Sequence, residues 1–96
     1  MIGIVAKIVV QDGKTEEFEQ VMTVLANKVK ANEPGCIYYD AYKSRTEDNT
    51  YIVMEQYASS ADFKAHGESE HFKAAGTGFA ACLAGPPDIQ VMDLVE

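Results

Sequence analysis

The stretch from Glu55 to Phe72 reads EQYASSADFKAHGESEHF and contains the end of a strand followed by two helix starts. The aromatic and β-branched run from Thr50 to Tyr57 predicts a strand. Ser59 or Ser60 can cap a short helix over roughly residues 61–66, and Ser69 can cap a further helical segment. The stretch therefore predicts that the second helical region of the chain is broken in two.

Upstream of this stretch the sequence predicts two further strands and one long helix. The run from Cys36 to Lys43 (CIYYDAYK) forms a hairpin with Thr50 to Tyr57 across the polar residues 44–49, and residues 2–10 (IGIVAKIVV) form the first strand. Between them, apolar residues at helical spacing predict an amphipathic helix from about Lys14 to Ala31, which Pro34 and Gly35 end. The apolar face of this helix consists of Phe18, Val21, Met22, Leu25 and Val29.

Downstream, a broken helix and a last strand complete the pattern. Gly76 and Gly78 weaken the second helical segment and predict a bend or a close approach there. Gly85, Pro86 and Pro87 end it, and residues 89–95 form the last strand. The order β-α-β-β-α-β predicts a single α+β domain over residues 1–96, with the ferredoxin-like fold and an antiparallel sheet ordered 4-1-3-2.

The first strand is apolar on both faces, although the helices of this topology cover one face of the sheet. A sheet buried on one face alone would show a clean alternation of apolar and polar residues. Because soluble monomers rarely expose a large apolar patch, we expect a second copy of the chain to cover the free face. The sequence therefore predicts a homodimer formed by sheet-to-sheet packing.

Charge and composition narrow the range of partners. Fifteen acidic residues against eight basic ones give a formal net charge of −7, which disfavours nucleic acid and anionic membranes. No apolar run approaches the roughly 20 residues of a membrane span, and no signal segment begins the chain, so a cytoplasmic location is expected. Cys36 and Cys82 match no redox or zinc motif and are expected to be reduced core thiols.

The two histidines, His66 and His71, are candidates for proton transfer because imidazole titrates near neutral pH. The alternative is that both are structural residues at helix ends. No metal site is predicted, since the spacing is not H-x-x-x-H and no third ligand has a defined position. No motif for flavin, nicotinamide or nucleotide occurs, so no cofactor is predicted.

All five tyrosines lie on the two hairpin strands, where packing in the core or an interface competes with a role in substrate binding. The neighbours Tyr38 and Tyr39 must point to opposite faces, so one of them at most lines a given cavity. Asp40 lies within the same strand, and its carboxylate must pair, reach solvent or face a pocket.

One set of residues in this chain is typical of a known family: Glu55, Tyr57, Ser59, Ala61, Phe63, His66, Ser69, His71 and Phe72, together with the segment from Glu33 to Tyr39 (EPGCIYY). On these residues the chain resembles the antibiotic biosynthesis monooxygenase family. The resemblance implies a dimeric α+β barrel with one pocket per subunit between helices and sheet. Members oxidise phenols or quinols without a cofactor, degrade haem, or isomerise small hydroxyketones. The Asn, Trp and His of the haem-degrading branch are replaced here by Ala6, His66 and Gly76, which argues against haem.

The resemblance to this family and the two histidines together predict a cofactor-independent monooxygenase that acts on a small quinol or polyphenol-like molecule. In this hypothesis His66 is the base and His71 assists it. The alternatives are an isomerase of a small hydroxycarbonyl compound and a non-catalytic module that binds a small ligand. The predicted substrate-binding residues are Tyr39, Asp40, Tyr57, Phe63 and Phe79.

Overall fold

The computed structural model describes residues 1–96 and contains one four-stranded antiparallel sheet and three helices. The sheet order β2-β3-β1-β4 is the predicted order read from the opposite edge, so the α+β ferredoxin-like fold is confirmed. The second helical region is broken in two, as predicted. The elements are β1 (Ile2–Val9), α1 (Thr15–Asn32), β2 (Cys36–Lys43), β3 (Thr50–Tyr57), α2 (Ser60–Glu68), α3 (Glu70–Cys82) and β4 (Asp88–Asp93).

The last strand differs from its predicted bounds of residues 89–95. It pairs with β1 from Lys7↔Asp88 to Ile2↔Asp93, and one further backbone hydrogen bond joins the Leu94 N–H to the Met1 carbonyl at 3.0 Å. The strand itself ends at Asp93, and Val95 is 94% exposed. None of the three helices has the length and the apolar composition needed to cross a membrane.

The helices cover one face of the sheet, where every second residue of β1 and β3 is buried. The main core joins this face to Phe18, Leu25 and Val29 of α1, and the rings of Phe18 and Tyr51 lie 4.6 Å apart. A smaller cluster contains Ile2, Ile4 and Tyr57, with Phe63 of α2 packed against it. The buried face thus fixes the position of the residues at the ends of the helices.

The opposite face of the sheet is free of helices and exposes large apolar side chains. Tyr38 of β2 is 42% exposed, whereas its neighbour Tyr39 is 3% exposed on the helix side, which confirms that the two point to opposite faces. The other large apolar residues exposed on the free face are Val9, Tyr42, Met54 and Met92.

Helices α1 and α3 approach each other closely at Gly78. A Cβ atom at this position would lie 2.7 Å from Cγ2 of Val21, whereas a Cβ atom at Gly76 would meet nothing within 4 Å. The close approach predicted for this segment therefore occurs at Gly78, where the absence of a side chain lets the two helices pack.

Candidate functional site

Three separate parts of the chain bring Glu33, His66 and His71 together. Glu33 follows the last residue of α1, His66 lies in the last turn of α2, and His71 is the second residue of α3. The hydroxyl of Ser69 donates to the His66 carbonyl at 2.7 Å and accepts from the Phe72 N–H at 3.2 Å. This serine closes one helix and opens the next, so both imidazoles meet the same carboxylate.

The Glu33 carboxylate lies between the two imidazoles. Its oxygens are 3.1 and 3.0 Å from Nδ1 of His66, and one of them is also hydrogen-bonded to Nε2 of His71. Since a carboxylate accepts, these contacts assign an N–H to Nδ1 of His66 and to Nε2 of His71. The hydrogen bonds of His71 all run through Nε2, which leaves the lone pair of its Nδ1 free.

A second carboxylate, Glu55, approaches His66 from the sheet. The Tyr57 hydroxyl donates to Oε1 of Glu55 at 2.6 Å, and the same oxygen lies 4.0 Å from Nε2 of His66. Burial raises the pKa of the Glu55 carboxyl, while the Tyr57 hydrogen bond and His66 partly offset that rise. His66 is therefore held between a carboxylate at the helix ends and a carboxylate of the sheet.

Aromatic rings enclose His66 and leave it 3% exposed. Its ring centroid lies 5.3 Å from Tyr39, 5.5 Å from Tyr57 and 4.8 Å from Phe72. Burial raises the pKa of both tyrosines well above the usual value for a phenol, and the Glu55 charge raises both further. The two phenols therefore stay protonated near neutral pH, and neither can serve as a base.

His71 is the member of the cluster that borders two surface depressions. A groove of about 630 Å³ runs between α1 and α3, and a smaller depression of about 200 Å³ lies beside Glu33, Cys36 and Asp62. Because His71 lines both, it is the imidazole of the cluster that a bound molecule can reach, whereas Glu33 borders only the smaller depression. The lining of the larger groove consists of Gln20, Val21, Val24, Leu25, Lys28, Asn32, Glu70, His71, Ala74, Ala75 and Gly78.

Cys36 also lines the smaller depression. Burial raises the pKa of its thiol to about 11, with further contributions from the charges of Glu33 and Glu55. A thiol with this pKa is a poor nucleophile near neutral pH. Cys82 is fully buried, and both cysteines are free.

The structure brings only some of the predicted substrate-binding residues near the histidines. Tyr39 and Tyr57 contact His66, and Phe63 lies one ring further away, with its centroid 5.3 Å from Tyr57. Their role in substrate binding stays a prediction. The space between helices and sheet, where the resemblance implied a pocket, is occupied around these residues by core side chains.

Asp40 and Phe79 lie apart from the cluster. Asp40 is on the edge strand β2, paired in register with Met54 of the free face, and its carboxylate lies 3.4 Å from Lys30. Phe79 packs on Phe18 at 5.6 Å, and it is about 12 Å along α3 from His71 at 1.5 Å per residue. Neither side chain contacts the histidines.

Sequence reasoning missed the roles of Glu33 and Glu55. Glu55 had a readable signal, because it is the one charged residue among the inward positions of β3. Glu33 lies 33 residues from His66 and 38 from His71, so the separation hid their contact. Glu33 is the third polar side chain of the site, beside the two histidines, and no sequence pattern specified its position.

The protein has its helices on one face of an antiparallel β2-β3-β1-β4 sheet and a buried histidine–carboxylate cluster at the helix ends. These features define a small α+β protein of the ferredoxin-like class. The family model for antibiotic biosynthesis monooxygenase matches residues 1–77, and the chain belongs to this family. Membership supports a monooxygenase-like function.

Relatives with known sequences or structures agree with this assignment. The chain is 31% identical to the Bacillus subtilis protein named "Putative monooxygenase YcnE" over 96 residues, which is the whole of both chains. The crystal structure of a putative antibiotic biosynthesis monooxygenase from Caulobacter crescentus CB15 matches this fold with a TM-score of 0.96 at 49% identity, covering 99% of this chain and 90% of that one. A conserved protein from Methanosarcina mazei Go1 has a TM-score of 0.88 at 26% identity, covering 95% and 89% respectively.

Proposed function

We propose that the protein is a monooxygenase that oxidises a small quinol or polyphenol-like substrate without a bound cofactor. The observation that carries the proposal is the pairing of Glu33 with Nε2 of His71, which leaves Nδ1 of the same ring without a hydrogen bond, while His71 lines the groove between α1 and α3. A carboxylate that holds one nitrogen of an imidazole fixes the tautomer and prepares the other nitrogen as a base.

In the proposed reaction, Nδ1 of His71 accepts a proton from a substrate hydroxyl. The Glu33 carboxylate stabilises the imidazolium that forms, as carboxylates do in other acid–base sites. The resulting electron-rich anion can itself transfer an electron to O₂. A benzenediol and O₂ then give a hydroxyquinone and water, with one oxygen atom in each product, so no external reductant is required.

The volume and the lining of the groove between α1 and α3 suit a small aromatic substrate. Its volume of about 630 Å³ lies within the range of roughly 300–1,000 Å³ that is typical of small-molecule sites. Val21, Val24 and Ala74 provide apolar walls, while Lys28 and Asn32 provide polar groups for a substrate oxygen.

The proposed roles of the histidines differ from those predicted from sequence. His66 was the predicted base, but it is 3% exposed and its Nδ1 is bonded to Glu33. The geometry favours His71 as the base, with His66 as a positioning residue that holds Glu33 from the opposite side.

Oxygen uptake tests the proposal. Wild-type protein is mixed with a panel of dihydroxyarenes in an oxygen electrode, and ¹⁸O₂ labelling is expected to place one labelled atom in the organic product. Because a general base contributes roughly 10²- to 10⁴-fold, His71→Ala should lower the rate by at least about 100-fold. Glu68→Gln, on the exposed end of α2, is the matched control.

Two results would contradict the proposal: no uptake above the uncatalysed rate, or equal rates for wild type and His71→Ala. Circular dichroism confirms that each variant is folded. Proton exchange into a hydroxycarbonyl compound with no oxygen consumption would favour the isomerase alternative, since both reactions begin with proton abstraction.

We also propose that the free face of the sheet packs against the same face of a second copy. Val9, Tyr42 and Met54 are 44%, 56% and 42% exposed there, and contiguous exposed apolar side chains favour an interface. The tyrosine and methionine content of the face is typical of interface cores.

A further inference from the structure

We infer that Glu33, His66 and His71 form a binding site for one divalent first-row transition-metal cation. The cation would replace the two N–H hydrogens that link the imidazoles to the carboxylate. The inference concerns the same cluster as the proposed function and rests on that proposal for its effect on activity, whereas binding itself is a separate property.

The donor atoms are close to the spacing that a cation requires. One ligand atom from each of the three side chains lies within 4.8 Å of the other two. Tetrahedral zinc with bonds of 2.0–2.1 Å places its donors about 3.3 Å apart, and Nδ1 of His66 is already 3.0 Å from Glu33. Binding would require donors that now lie within 4.8 Å of one another to approach to about 3.3 Å around one point.

The donor set selects the type of cation. Two imidazoles and one carboxylate suit Zn²⁺, Co²⁺ and Fe²⁺, whereas Mg²⁺ and Ca²⁺ prefer oxygen ligands alone. The side chains of Glu33 and Glu55 are 12% and 8% exposed, so water weakens their attraction for a cation less than it would on the surface.

The surroundings of His66 provide an independent argument. A metal-bound histidine usually donates its second N–H to a carboxylate. If Nδ1 of His66 binds the cation, its hydrogen moves to Nε2, which lies 4.0 Å from Glu55. Tyr57 in turn holds Glu55 through a hydrogen bond of 2.6 Å. Closing the distance between Nε2 of His66 and Glu55 from 4.0 Å to about 3 Å would give a metal-bound His66 the carboxylate partner that it needs.

Access and open coordination come from the smaller depression beside the cluster. Glu33 and His71 line this depression of about 200 Å³. Three protein ligands leave a fourth position of a tetrahedral site for water or another small ligand. A cation can therefore reach Glu33 and His71 from solvent, and Nδ1 of His66 lies 3.0 Å from the same Glu33 carboxylate.

Metal binding and the proposed base role exclude each other. When Nε2 of His71 binds the cation, the hydrogen of its neutral ring moves to Nδ1. Nδ1 then has no lone pair for a substrate proton. A bound cation would thus inhibit the reaction that the metal-free cluster is proposed to catalyse.

Direct binding measurements on the full chain test the inference. The protein is treated with EDTA and dialysed, then titrated with Zn²⁺ by calorimetry and with Co²⁺ by visible absorbance. We expect one equivalent to bind, and His71→Ala and Glu33→Gln to weaken binding by at least about 100-fold. Because the loss of an outer partner typically costs 10- to 100-fold, Glu55→Gln should have an effect in that range, while Glu68→Gln should have none.

The titration of wild-type protein decides the matter even if a variant fails to fold. Absence of Zn²⁺ and Co²⁺ binding to wild type would overturn the inference, as would equal affinity in folded His71→Ala and Glu33→Gln. Oxygen uptake with and without Zn²⁺ separates the two proposals. An active enzyme that binds no cation refutes the inference alone, and an inactive protein that binds one equivalent refutes the proposed function alone.

Discussion

Two glycines of α3 allow the packing of the helices to be tested with a matched pair of substitutions. Gly76 and Gly78 lie in the same helix and both have ordinary negative φ values. A Cβ atom at position 78 would lie 2.7 and 3.0 Å from the two Cγ atoms of Val21, whereas one at position 76 would have open space. Alanine at the two positions should therefore have opposite effects on the free energy of unfolding.

The magnitudes follow from helix propensity and overpacking. Alanine stabilises a helix interior by about 1 kcal/mol relative to glycine, and Gly76→Ala should show this gain. At position 78 the overlap with Val21 should cost roughly 1–3 kcal/mol, because the β-branched side chain has little rotational freedom to move away. Gly78→Ala should therefore be destabilised by about 1 kcal/mol net, some 2 kcal/mol below Gly76→Ala.

Thermal and urea unfolding followed by circular dichroism provide the measurement. For a chain of this size, 1 kcal/mol corresponds to a shift in Tm of about 4–8 °C, and all variants are compared at one protein concentration because self-association would affect Tm. In a Val21→Ala background the overlap is removed, so Gly78→Ala should there become stabilising. If Gly78→Ala raises Tm as much as Gly76→Ala in the wild-type background, the close approach of α1 and α3 at this glycine is refuted.

Three further predictions concern the cluster, the thiol and the free face of the sheet. Tyr57→Phe removes the hydrogen bond to buried Glu55 and should destabilise the fold by about 1.5–3 kcal/mol. Tyr42→Phe, at a residue that is 56% exposed, should have little effect on stability. Equal midpoints of urea unfolding for the two variants would contradict this prediction. The rise in the pKa of Cys36 from 9.0 to about 11 implies a thiolate fraction about 100-fold smaller at pH 8. Cys36 should therefore react with iodoacetamide about 100-fold more slowly than a free thiol, and faster after Glu33→Gln. A rate equal to that of the free thiol would show that the pKa of Cys36 is not raised. Met54→Glu on the free face should turn a dimer into a monomer by light scattering, while Val24→Glu on the helix side should not; a monomeric wild type at micromolar concentration would exclude the dimer.

The sequence was informative wherever structure depends on neighbouring residues. The β-branched and aromatic runs of β2 and β3 gave strand bounds that the structure reproduces, because side-chain alternation is a local property. Ser69 caps α3 as predicted, and of the two candidate caps Ser59 and Ser60 it is Ser59 that caps α2. Strand β4 was placed less accurately, since the bounds of an edge strand depend on its register with a partner strand that is distant in sequence.

The site was less predictable because Glu33, its central residue, is distant in sequence from both histidines. The histidines could be chosen from their chemistry, but the carboxylate that joins them follows a different helix. Asp40 was a candidate site residue because it is a charged residue within a strand. It lies on the edge strand β2, where its carboxylate pairs with Lys30. The relative exposure of His66 and His71 depends on the packing of Tyr39, Tyr57 and Phe72, which no local pattern specifies.

The helix break at Ser69 determines which changes in chain length the site can tolerate. Five residues of a continuous helix would turn the two histidines about 140° apart around one axis, so an unbroken helix would point them at different neighbours. Because the helix is broken at Ser69, both rings can face Glu33. The number of residues between them still matters, since inserting or deleting one residue between His66 and His71 would rotate the second ring by about 100° away from Glu33. Insertions should be accepted readily in the polar hairpin between β2 and β3, whereas the four residues between the histidines should keep a fixed length in any relative that uses this cluster.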